Sequence, residues 1–63
     1  MSIGTKLRAL RGKMSQKEAA VGIGITKSSL AMYERDERIP RDEVKIKIAE
    51  YYKESVQSIF FTP

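Results

Sequence analysis

The stretch Ser15-Gln16-Lys17-Glu18-Ala19-Ala20-Val21-Gly22-Ile23-Gly24-Ile25-Thr26-Lys27-Ser28-Ser29-Leu30-Ala31-Met32-Tyr33-Glu34 decides the fold. Its first four residues read as a capping box. The Ser15 hydroxyl can accept from the Glu18 amide while the Glu18 side chain reaches back to the Ser15 amide. The helix opened there is short, because Gly22 weakens it and Gly24 ends it, a left-handed glycine letting the chain turn sharply. Thr26 is the next N-cap, opening a second helix that runs through Glu34 or Arg35. Ala20 falls on the inner face, where a larger side chain would push the helices apart. Ile23, Ile25 and Leu30 fill the angle between them.

Two short capped helices joined by a glycine turn of about three or four residues form a helix-turn-helix. Working outward, Ile3, Leu7 and Leu10 make one apolar stripe at helical spacing, predicting a helix over about 3–11 with Gly12 as its stop. Arg35-Asp36-Glu37-Arg38-Ile39-Pro40 is a polar loop whose proline precedes or begins the next helix. From Arg41 to about Tyr52, Val44, Ile48, Tyr51 and Tyr52 repeat at i, i+4, i+7 and i+8, and Asp42 and Glu43 suit the helix dipole. Ser55 caps a short final helix carrying Val56, Ile59 and Phe60. No stretch alternates cleanly as a strand does. The expected fold is all-α, a compact bundle of five short helices in a single domain, residues 1–63.

Composition narrows the function. The 63 residues include no cysteine and no histidine, so no disulfide framework, zinc knuckle or imidazole base is available, and the commonest metal ligand is missing. So short a chain encloses no sizeable cleft, and neither an enzyme, a metal, a cofactor nor a small-molecule ligand is expected. The longest run free of charge and hydroxyl, Ala19 to Ile25, is seven residues against the roughly 20 of a membrane span. A soluble, cytoplasmic protein is expected. Twelve Lys and Arg face eight Asp and Glu, a net charge of +4. Residues 1–30 hold six bases and one acid, a net +5, whereas residues 31–63 hold six bases and seven acids, a net −1. The basic half contains the two-helix unit, as a face that attracts polyanions would.

The run Ser15 to Ala20, then Gly24-Ile25-Thr26-Lys27-Ser28-Ser29-Leu30 and Tyr33-Glu34-Arg35, resembles the Cro/repressor (XRE-type) helix-turn-helix family. Leu7 to Arg11, Ile39-Pro40, Lys47 to Glu50 and Ser55-Val56 resemble its flanking helices, so the similarity covers about residues 3–61. The departures are a short Gly12-Lys13-Met14 link, Asp36 where glycine is usual, Lys53-Glu54 in place of a common Gly-Val, and Val21-Gly22 where charges are typical. The resemblance implies a lambda-repressor-like domain, prokaryotic or phage-type and nucleoid-associated, that binds double-stranded DNA with the Thr26-capped helix in the major groove. Its outward face is then Lys27, Ser28, Ala31, Met32 and Arg35. Lys27 and Ser28 are placed for base edges, and Ala31 and Met32 for a thymine methyl. Gln16 resembles the family residue that binds a phosphate and braces the groove helix. Lys13, Ser29, Arg35 and Arg38 are further candidate phosphate contacts. Arg11 and Glu34 resemble the family's structural ion pair.

Four of the five aromatics lie between Tyr51 and Phe61. Either they close the core under the fourth helix or they form an apolar patch at a two-fold interface. The expected division puts Tyr52, Val56 and Ile59 inside, with Tyr51, Phe60 and Phe61 at a homodimer interface. The leading expectation is a sequence-specific regulator, a repressor on a palindromic operator, whether it stands alone or was excised from a longer protein. The competing expectation is an antitoxin-like protein-interaction module with secondary DNA binding.

Overall fold

The computed structural model describes residues 2–61; Met1, Thr62 and Pro63 of the expected domain lie outside the described residues. Five helices follow one another: α1 (Ile3–Arg11), α2 (Gln16–Ile23), α3 (Lys27–Glu34), α4 (Asp42–Tyr52) and α5 (Val56–Phe60). Local chemistry sets their starts. The hydroxyls of Ser2, Ser15, Thr26 and Ser55 each accept from the amide three residues on, satisfying a donor the helix cannot. Only α4 starts without a side-chain cap, and Asp42 and Glu43 oppose its dipole instead.

Gly24 terminates α2 at φ 94°, in the left-handed region, and its N–H returns to the Ala20 carbonyl at 2.8 Å. An L side chain there would cost roughly 1–2 kcal/mol. That turn sets α3 across α2, and Leu7, Ala19, Ala20, Ile23, Leu30, Tyr33, Ile48, Ala49, Ile59 and Phe60 close into one core. Ala20 is buried in that core at 2% exposure.

Two of the family departures acquire a physical reason. Asp36 adopts φ 60°, a strained position for a residue with a Cβ. Its carboxylate accepts from the Gly4 N–H at 2.9 Å, adding a charged cap to the start of α1. The Gly4 amide and then the Ser2 hydroxyl hold the Asp36 carboxyl below the usual carboxylate range. Gly4 itself admits no Cβ, which would collide with the Glu34 carbonyl at the end of α3. Gly22 likewise leaves room for the Tyr51 ring, which lies against the α2 backbone where a Cβ would stand. Tyr51 therefore ties α4 to α2, and its hydroxyl donates to Met14 Sδ at 2.9 Å.

One expectation is corrected. Phe60 is only 8% exposed and belongs to the core beside Ile59, rather than to a partner surface. A five-residue helix such as α5 offers few side chains, and docking on α4 and α1 takes both adjacent apolar ones inward. Phe61 stays outside at 63% exposure, while Tyr51, Tyr52 and Val56 are half-buried. Among the described residues no helix is long and apolar enough to cross a membrane.

Candidate nucleic-acid interface

The outward side of α3 and the first residue of α2 form a shallow, open concavity lined by Gln16, Lys27, Ser28, Ala31, Met32 and Arg35. All four residues expected to reach base edges meet there. Lys27 and Ser28 are exposed at the N-terminal end of the helix, and Ala31 and Met32 are half-buried one turn further on. Helical geometry explains the separation of roles. Leu30, Tyr33 and Glu34 point to the core, so residues 27, 28, 31 and 32 face the other way.

Behind that face lies a buried ionic network. Glu34 is 1% exposed. Arg11 grips it with Nε to Oε2 at 2.8 Å and Nη2 to Oε1 at 3.1 Å, and Gln16 Nε2 donates to Oε1 at 2.9 Å. Arg11 Nη1 also donates to the Met14 carbonyl at 2.7 Å, which fixes the link between α1 and α2. The hydrogen bond to Glu34 is the largest cause of a raised Arg11 pKa. One carboxylate thus binds α1, α2 and α3 together and sets how α3 is presented. Gln16 braces α3 through one of its two amide hydrogens. Tyr52 packs beside this network with a buried hydroxyl that has no hydrogen-bond partner among the described residues. Burial, and then the Glu34 charge, push its phenol up to about 12.

The expected phosphate residues do not fall in one place. Ser29 turns its hydroxyl toward Thr26, accepting from Thr26 Oγ1 at 2.9 Å. With Arg38 it lines a second groove, on the other flank of α3, that also contains Tyr33, Ile39, Arg41 and Val44. Lys13 is exposed in the α1–α2 link, in neither concavity. Arg35 lies in the first concavity, but its guanidinium meets both Glu37 carboxylate oxygens at 3.0 Å. That hydrogen-bonded pairing raises the Arg35 pKa and lowers the Glu37 pKa. The sequence reading leaves Glu37 in a polar loop. Its signal was Arg-Asp-Glu, with an aspartate able to turn left-handed between two opposite charges.

A helix-turn-helix family model matches residues 6–59. The chain belongs to that family, in its Cro/repressor (XRE-type) form, and carries its DNA-binding domain. The fold is similar to that of the P22 c2 repressor protein, solved in complex with synthetic operator 9T in the presence of Tl+. The TM-score is 0.92 at 21% sequence identity, covering 97% of this chain and 96% of that one. A comparison with curated proteins gives no match.

Proposed function

We propose that the protein is a sequence-specific transcriptional repressor that binds a palindromic DNA operator as a homodimer, with α3 in the major groove. The observation that carries this reading is the concave face of Gln16, Lys27, Ser28, Ala31 and Met32, presented by a helix clamped at Glu34. Lys27 donates to guanine O6 or N7, Ser28 hydrogen-bonds a neighbouring base, and Ala31 and Met32 accept a thymine methyl. Gln16, Lys13, Ser29 and Arg38 take phosphates on either side of the groove, setting register without reading sequence. The P22 c2 repressor, of similar fold, is seen with an operator, which supports the DNA reading.

For the dimer, Phe61 remains from the expected patch, Tyr51 being packed against α2. Phe61 lines an apolar groove on the α4–α5 side with Ile46 and Val56, flanked by Asp42 and Lys45. A two-fold pairing through this side presents two α3 helices about one DNA turn, roughly 34 Å, apart.

Selection of binding sites from random duplexes tests the reading. The expected product is a two-fold site, with Lys27→Ala or Ser28→Ala relaxing single positions by about 1–3 kcal/mol. Gln16→Ala should weaken all duplexes nearly equally. DNA affinity indifferent to both salt and sequence would sink the proposal, since each neutralised phosphate gives a log–log slope near −0.9.

A further inference from the structure

Arg35 is the C-cap of α3, and Glu37 grips its guanidinium side-on through Nε and Nη2. Both side chains are more than half exposed, at 57% and 53%. An ion pair in that setting adds little to stability. The two residues face each other because of the turn between them. Asp36 is left-handed at φ 60° and fastened to the Gly4 N–H. The Glu37 N–H is fastened to the Met32 carbonyl at 2.9 Å. The carboxylate that holds Arg35 therefore rises from backbone anchored to α3 on one side and to α1 on the other.

A guanidinium carries five N–H donors in one plane. The side-on grip consumes Nε–H and one Nη2–H, leaving the end-on fork of Nη1–H and the second Nη2–H. That fork matches O6 and N7 of guanine in the major groove. Arg35 shares its concavity with Lys27, Ser28, Ala31 and Met32, the residues assigned to base edges. A phosphate suits the unit badly. Glu37 cancels the guanidinium charge and would stand as a like charge beside the phosphate, whereas guanine O6 and N7 carry no net charge.

We infer that Arg35 is a specificity-determining residue that reads one guanine at the C-terminal end of α3, and that Glu37 is its positioning residue. This rests on the DNA-binding reading above and replaces the phosphate contact expected of Arg35. Base contacts then come from both ends of the helix, and the Arg35–Glu37 unit contributes specificity with almost no general attraction to DNA.

Binding-site selection and salt titration on the intact chain test this with three variants. The charge-neutral double variant R35Q/E37Q should lose one guanine from the selected site, with discrimination at that pair falling about ten-fold or more. Its salt slope should match that of the unmodified protein. R35K, which has no fork, should lose the same position. E37Q should bind all duplexes more tightly yet lose preference at that guanine, because Arg35 is released from its holder. An R35Q/E37Q site unchanged in sequence, with the slope reduced in magnitude by about 0.9, would make Arg35 a phosphate contact and overturn the inference. Full guanine preference in E37Q would overturn the role of Glu37. Should the unmodified protein select no sequence at all, the DNA-binding reading itself fails. A clear site that all three variants share defeats only this inference.

Discussion

The α2–turn–α3 unit and the α4–α5 side hold their shapes by different means. In the first, two hydroxyl caps, a left-handed glycine and a buried carboxylate with three side-chain donors act together. In the second, α4 lacks a side-chain cap, and the surface shows Ile46 and Phe61 to solvent. The half that presents the outward face of α3 is over-determined, because a small rotation of α3 would displace every residue on that face. The other half needs only to pack, and it is there that the proposed dimer would find exposed apolar surface. A chain of 63 residues has little core to distribute. Polar precision is concentrated where orientation matters, and plain apolar burial serves elsewhere.

The contrast breaks most sharply at Glu34. Removing the carboxylate in Glu34→Ala leaves Arg11 facing a desolvated space, and the expected loss is about 3–5 kcal/mol in urea or thermal unfolding. A loss below 1 kcal/mol would show that the network orients nothing. On the other side, Phe60→Ala should cost roughly 3 kcal/mol or more as a cavity in the core. Phe61→Ala, one residue on, should leave the monomer within about 0.5 kcal/mol while weakening self-association in sedimentation. Equal effects at the two positions would erase the boundary between core and partner surface drawn there.

Asp36 joins the turn after α3 to the start of α1, and its removal should have an intermediate effect. Asp36→Ala keeps the left-handed strain and loses the cap on α1, so its unfolding midpoint should fall, though by less than that of Glu34→Ala. Asp36→Gly loses the cap alone and should cost less. Because the folded carboxyl titrates below its unfolded value, its contribution is present above that value and lost as pH falls through the lowered folded pKa. Acid unfolding curves of Asp36→Ala should therefore be flatter below about pH 4. The smallest effect belongs to Tyr52. The unfolded phenol releases its proton near pH 10 and the folded one near 12, so stability falls as pH rises through that interval. Tyr52→Phe should remove this alkaline sensitivity and leave neutral stability nearly unchanged, since it deletes a hydroxyl without a partner. A marked loss at pH 7 would mean that the hydroxyl has a stabilising role after all.

The helices were legible because their signals are local. Ser15, Thr26 and Ser55 each reach an amide three residues away, and Gly24 announces its turn alone. The resemblance carried the Arg11–Glu34 pair and the bracing role of Gln16 across spans that periodicity does not reach. Phe60 and Phe61 were not separable, because adjacent aromatics differ only in where α5 docks on distant helices. The Asp36–Gly4 cap spans 32 positions and leaves no trace in either neighbourhood. Arg35 and Glu37 are close in sequence, yet their pairing depends on that same distant anchor.

Within α3, eight residues long, the inward positions Leu30, Tyr33 and Glu34 share no member with the outward Lys27, Ser28, Ala31 and Met32. Outer-face exchanges on a helix usually shift stability by no more than about 0.5 kcal/mol. If α3 reads DNA as proposed, the domain is readily retargeted: a lineage, or an engineer, can rewrite what it recognises one residue at a time while every intermediate stays folded.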